Sequence, residues 1–192
     1  MANEFYALLG RMRYITRWGL MRNTFSENIQ EHSHQVAVLA HALALIRRDI
    51  LGLPGADPDK CAVAALYHDC SEILTGDLPT PIKYYNPDIK EAYKQVEQIA
   101  GNRLLELLPP QLVDSYRALV LEEDEEVLPT VKAADKLSAY LKCVEELKAG
   151  NLEFKKAKEQ SYAALCQNPI PALRYFMDHF LDGFELTLDE LT

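Results

Sequence analysis

The chain has 192 residues, enough for one compact domain with a full apolar core. Its 48% apolar and 26% charged residues are ordinary for a globular protein, and only 8 glycines favour helix over sheet. A formal net charge of −9 argues against nonspecific binding to a nucleic-acid polymer, and no uncharged apolar stretch approaches the roughly 20 residues of a membrane span.

Hydrophobic periodicity predicts helix after helix. Residues 3–14 read as a short amphipathic helix, followed by a loop through Arg17, Trp18 and Arg22. Arg11, Arg13, Arg17 and Arg22 concentrate positive charge in an otherwise acidic chain. Arg11 and Arg13 read as a solvated helix face. Arg17 adjoins the only tryptophan, which places a planar anion fork beside a flat apolar wall. Asn28 is an N-cap with Glu31 as its capping-box partner, and the helix it opens runs to about residue 48. Val36, Leu39, Leu43 and Ile46 form its apolar stripe, and His32 extends that stripe by one turn. His34 and His41 share a different face with Val38 and Leu45 and read as structural or surface residues, as does His179.

Asp57 and Pro58 start the next helix, which the pattern carries to a C-cap at Gly76. Ala62, Leu66, Asp69 and Ile73 share one face of it; Cys61, Ala65, His68 and Glu72 share the neighbouring face. The loop GDLPTPIKYYNP, stiffened by its prolines, leaves directly from the end that carries His68, Asp69 and Glu72. Further helices are expected at 88–108, 111–121, 130–149, 152–167 and 170–182. Asp135 lies among Val131, Ala134, Ser138 and Leu141 of the 130–149 helix. The acidic run 122–126 reads as a solvated loop. Cys61, Cys70, Cys143 and Cys166 show no CxxC spacing, and Cys61 and Cys143 read as small core residues. The N-terminal residues lack a signal-peptide run, so a cytoplasmic protein with reduced thiols is expected. The expected architecture is a single all-α domain over residues 1–192.

Taken singly, His32 reads as a polar residue at a helix start and Asp135 as a partner for Lys132 or Lys136. Taken together, His32, His68, Asp69 and Asp135 sit on or beside the inward stripes of three long helices. A His or Asp facing a core is costly without a partner, and one metal ion can serve all four. A mixed imidazole and carboxylate set suits a borderline divalent ion such as Mn, Co, Fe, Ni or Zn, and on a six-coordinate ion it leaves two positions for water and substrate.

The order His32…His68-Asp69…Asp135 resembles the HD-domain metal-dependent phosphohydrolases, an all-α superfamily. The segments RWGLMRN (17–23), ENIQEHSHQVA (27–37), LYHDCSEILTGDLPTPIKYYN (66–86) and KAADKLSAYLKCVEEL (132–147) resemble the bacterial YfbR-type 5′-deoxynucleotidases over nearly the whole chain. That resemblance implies one divalent metal per subunit (Co, Mn, Fe, Ni or Zn) on His32, His68, Asp69 and Asp135. It implies nucleotide contacts from Arg17 and Trp18, a substrate loop of Asp77, Leu78, Pro79 and Thr80, and proton handling by Glu72. His32, Asp69 and Asp135 then also border the substrate. The implied reaction is hydrolysis of a 2′-deoxyribonucleoside 5′-monophosphate by a homodimer, with broad base tolerance and selection against ribonucleotides. Two features depart from the pattern: His34, where an apolar residue is expected after EHS, and a short, very acidic loop at 122–126. A nucleoside triphosphate, a cyclic nucleotide or an alarmone remain alternative substrates within HD enzymes, and a metal-binding nucleotide sensor remains the non-enzymatic alternative.

Overall fold

A computed structural model describes residues 3–83 and 85–191. The chain is all-α: among the described residues no β-strand forms, and one isolated antiparallel bridge pairs Thr16 with Asn28. The helices are α1 (Phe5–Leu9), α2 (Ile29–Leu45), α3 (Pro58–Tyr67), α4 (Glu72–Thr75), α5 (Thr80–Lys83), α6 (Pro87–Leu105), α7 (Pro110–Val120), α8 (Leu128–Lys148), α9 (Lys155–Cys166) and α10 (Pro171–Phe180).

Their ends follow local chemistry. The Asn28 side chain accepts the N–H groups of Gln30 and Glu31 at 3.1 and 3.0 Å, and Asp57 accepts those of Asp59 and Lys60 at 3.0 and 3.1 Å. Asn86 caps α6 by accepting the Ile89 N–H at 2.8 Å. Proline opens α3, α6, α7 and α10, where the missing N–H costs nothing. Gly150, at φ +82°, ends α8: its N–H bonds to the Leu147 carbonyl and the Asn151 N–H reaches the Glu146 carbonyl.

Three expected elements are corrected. The segment 3–14 is α1 followed by a 3₁₀ turn, Gly10–Tyr14, because glycine carries the weakest helix propensity of any residue but proline. The helix that starts at Pro58 stops at Tyr67, and residues 68–71 form a tight turn with i→i+3 bonds, Cys70 N–H to Tyr67 O at 2.9 Å and Glu72 N–H to Asp69 O at 3.0 Å. The loop after Gly76 contains α5, whose first carbonyl acceptor is Pro79.

The chain divides into two compact units. The first, residues 1–34 and 66–125, has a core that includes Phe5, Met12, Ile29, Cys70, Leu104 and Val120, with α6 packed on α4, α5 and α7. The second, residues 35–65 and 126–192, is built on α8, which packs against α9. Its core includes Val36, Leu43, Ala65, Leu137, Leu141 and Leu173.

The second unit also buries a charge pair that periodicity does not announce. Lys142 Nζ lies 2.6 Å from Glu146 Oε1, one helical turn on, with both side chains sealed from water. Asn151 donates to the second carboxylate oxygen at 2.8 Å. Removing one partner strands the other charge in a dry site. Lys142→Met is expected to cost about 3–5 kcal/mol in chemical denaturation. Lys142→Met combined with Glu146→Leu should recover most of it. A single variant of unchanged stability would show that the pair carries no such weight.

Candidate functional site

In the first unit the chain doubles back on itself to present Arg17. The Arg17 N–H bonds to the Glu27 carbonyl at 2.9 Å and the Ile29 N–H to the Ile15 carbonyl at 3.0 Å, which lays the RW segment along the head of α2. His32 is one turn into that helix and is fully buried.

Asp69 Oδ2 is the focus of the site. Arg17 Nη1 lies 3.2 Å from it, His68 Nε2 3.2 Å and His32 Nε2 3.6 Å. The two imidazole rings are 5.3 Å apart, with nitrogens within 4.8 Å of one another. The tight turn at 68–71 makes this possible: on an unbroken helix, neighbouring side chains diverge by about 100°. Burial alone would raise the Asp69 carboxyl, but His68, His32 and Arg17 together hold it well below the usual carboxylate range.

Two imidazole nitrogens aimed at one carboxylate oxygen repel it unless a proton or a cation lies between them. The donor set therefore fits a borderline divalent metal ion, with nitrogen and oxygen ligands in a water-poor setting. Asp135 is placed on α8, in the second unit, half-buried on a face with Val131 and Ser138. Ser138 Oγ is tied to Gln35 Oε1 at 2.6 Å, which fixes that face within its own unit.

Glu72, the first residue of α4, is 6% exposed, and its Oε2 has no hydrogen-bond partner among the described residues. Burial first, then the charges of Asp69 and Asp77, push its carboxyl up to about 9, against the pull of Arg17 and Lys83. Burial also raises Asp77, partly offset by Arg17 and by the backbone N–H that Trp18 donates to it. Gly76, at φ +74°, starts the loop that carries Asp77, Leu78, Pro79 and Thr80, and its carbonyl accepts the hydroxyls of Thr75 at 3.0 Å and Tyr93 at 3.1 Å. Leu78 and Pro79 follow half-buried, and Thr80 is exposed.

Trp18 is half-buried and adopts φ +60°, a conformation that costs a bulky residue about 1–3 kcal/mol. It is held there at several points. Its carbonyl accepts the Met21 N–H at 2.9 Å, and its indole Nε1 donates to Glu27 Oε2 at 2.9 Å. The same Glu27 oxygen accepts Arg17 Nε at 3.2 Å. The sequence reading missed Glu27 because its only signal was an acidic residue ten positions after Arg17. Lys83, bound to Glu97 at 2.7 Å, was also missed. Arg11 and Arg13 are exposed, as are His34 and His179, and His41 is partly so, facing Asp59. The acidic run at 122–126 is mostly exposed. The four cysteines are free thiols, with only Cys166 exposed.

The fold is shared with known phosphohydrolases. The HD-domain phosphohydrolase lin2634 of Listeria innocua superposes with a TM-score of 0.78 at 19% identity, covering 94% of this chain and 88% of that one. The cyanophage S-2L HD phosphohydrolase DatZ, solved with dA and one catalytic Zn²⁺ ion, gives 0.64 at 24% identity over 94% and 96%. In sequence the chain is 48% identical over 192 residues to the 5′-deoxynucleotidase VV1113 of Vibrio vulnificus, covering 99% of this chain and 98% of that protein. It is also 48% identical to a 5′-deoxynucleotidase of Vibrio cholerae at the same coverage. The chain is thus an enzyme that hydrolyses phosphoric monoesters. Residues 4–184 match the family described as 5′-deoxynucleotidase YfbR-like, and the chain belongs to that family.

Proposed function

We propose that residues 1–192 act as one metal-dependent 5′-deoxynucleotidase. It hydrolyses 2′-deoxyribonucleoside 5′-monophosphates to deoxynucleoside and phosphate, with broad base tolerance and selection against ribonucleotides. The observation that carries the reading is the convergence of His32, His68 and Arg17 on one oxygen of Asp69, beside the buried Glu72. The relatives named 5′-deoxynucleotidase support the substrate class.

His32, His68 and Asp69 would hold one divalent ion (Co, Mn, Fe, Ni or Zn), with Asp135 as the fourth ligand of the family pattern. Such an ion supplies a Lewis acid for the phosphoryl oxygens and lowers the pKa of water. The chain's own residues do the rest. Arg17 neutralises and orients the phosphate oxygens. Glu72 handles the proton, relaying it between the attacking water and the departing 5′-oxygen. Asp77 accepts the sugar 3′-hydroxyl, with Leu78, Pro79 and Thr80 lining the same loop. Trp18 stands where a 2′-hydroxyl would project, and an apolar wall there leaves that hydroxyl unpaired.

The chain works in the cytoplasm as a homodimer in this reading. No described helix is long and apolar enough to cross a membrane, and Phe180, Leu188 and Leu191 leave apolar surface exposed near the C-terminus for a second copy. No nucleic-acid polymer or membrane is a partner.

Trp18→Ala tests the sugar wall. The kcat/KM ratio of dAMP over AMP is expected to fall about tenfold, on the scale of one unpaired polar group. An undiminished ratio would refute the assignment of Trp18.

A further inference from the structure

Arg17 and Trp18 are neighbours in sequence, yet nothing in their covalent geometry fixes the guanidinium relative to the indole. Glu27 does. A single oxygen, Oε2, accepts Trp18 Nε1 at 2.9 Å and Arg17 Nε at 3.2 Å. The Glu27 backbone carbonyl also accepts the Arg17 N–H at 2.9 Å. Glu27 is only 9% exposed and lies five residues before His32, just ahead of the Asn28 cap of α2. The second arm of the Arg17 fork, Nη1, remains on Asp69. Backbone and side chain of one residue therefore hold both neighbours to the helix that carries His32.

We propose that Glu27 is a positioning residue for sugar selectivity: its carboxylate locks the Arg17 guanidinium and the Trp18 indole to each other and to the head of α2, so that phosphate and sugar are gauged from one anchor. Glu27 acts through the two side chains it holds. A charged acceptor shared by two donors makes shorter and stronger bonds than a neutral one. Rotation of the indole or displacement of the arginine each forfeits a bond to Glu27, so both side chains are held to one carboxylate. This proposal rests on the reading of Arg17 and Trp18 as phosphate and sugar contacts.

Trp18 is the only tryptophan in the chain, so its fluorescence reports on the clamp without substrate. The test compares the wild type with Glu27→Ala and Glu27→Gln. Acrylamide quenching of the tryptophan and the dAMP over AMP ratio of kcat/KM are measured on each. Far-UV circular dichroism establishes that each variant is folded. Glu27→Ala is expected to raise the quenching constant and to lower the discrimination ratio about tenfold, the size of a lost charge-assisted hydrogen bond. Glu27→Gln keeps one acceptor oxygen and should restore part of both, and where the alanine variant fails to fold the glutamine variant shows the same changes at smaller size. Either readout left at its wild-type value in a folded variant overturns the proposal. A wild type that does not prefer dAMP sinks the underlying substrate reading as well, and that failure is visible before any variant is made.

Discussion

Asp69→Asn is expected to reduce metal-dependent phosphate release by at least on the order of 100-fold, beyond the effect of losing a residue that only supports a metal ligand. The reason is the crowding of cationic groups on one oxygen. Asp69 Oδ2 faces Arg17, His68 and His32 within 3.2–3.6 Å, and its carboxyl stays ionised well below the usual range because of them. Asparagine keeps the size and removes the charge. An ion held by the two imidazoles and Asp69 would lose its anionic ligand, and Arg17 loses one of its two carboxylate anchors. A stability signature accompanies the activity loss. A carboxyl whose pKa is depressed by folding stabilises the fold above its unfolded value of 3.8 and gives that up as pH falls. The metal-free wild type should therefore lose this contribution on acidification, whereas Asp69→Asn lacks it at every pH. Helical content by circular dichroism should be retained. Full activity in Asp69→Asn would remove it from the ligand set.

Glu72→Gln separates proton transfer from fold in the opposite direction. Turnover is expected to fall about 10²–10⁴-fold, the usual contribution of a positioned acid or base. The metal-free variant should nonetheless be more stable than the wild type in mildly alkaline solution. Burial raises the Glu72 carboxyl from 4.5 to about 9, so between those values the folded chain holds a proton that the unfolded chain has released. Stability attributable to Glu72 is therefore full below pH 4.5 and is lost as pH rises toward 9. Glutamine mimics the protonated acid and never ionises. Thermal denaturation of metal-stripped protein at pH 5 and pH 8 reads the difference: near-equal melting at pH 5, a higher melting temperature for Glu72→Gln at pH 8. A Glu72→Gln enzyme with wild-type turnover would refute the proton-handling role, and identical pH dependence of the two melting temperatures would refute the raised carboxyl.

What the sequence makes legible here is local. Asn28 and Asp57 cap helices through bonds to residues two and three positions on, so a short window suffices to find them. The all-α character follows from periodicity, and the exposure of His34 follows from its phase relative to His32. The interruption between Tyr67 and Glu72 is not legible, because the apolar pattern runs on through it. That pattern also offers two candidate inward faces. The structure buries the one with Cys61, Ala65, His68 and Glu72 and leaves Leu66 exposed, since the smaller side chains permit close packing. Lys142 reads as a surface residue by type, and only its partner Glu146 and the three-dimensional setting make burial tolerable. Within the site, residue type and order group His32, His68, Asp69 and Asp135, and Arg17 joins them only through the family resemblance. Glu27 is not legible, because hydrogen bonding across a ten-residue excursion of the chain has no periodic signature.

The proposed reaction is a metal-dependent hydrolysis that selects a deoxynucleoside monophosphate. Its most direct test is phosphate release from purified, metal-stripped protein offered dAMP, AMP or dATP, with Mn, Co, Mg or no metal added. Release from dAMP is expected to depend on added transition metal, with AMP and dATP largely spared. Release that is equally fast without metal, or no release from dAMP with any of the metals, would contradict it.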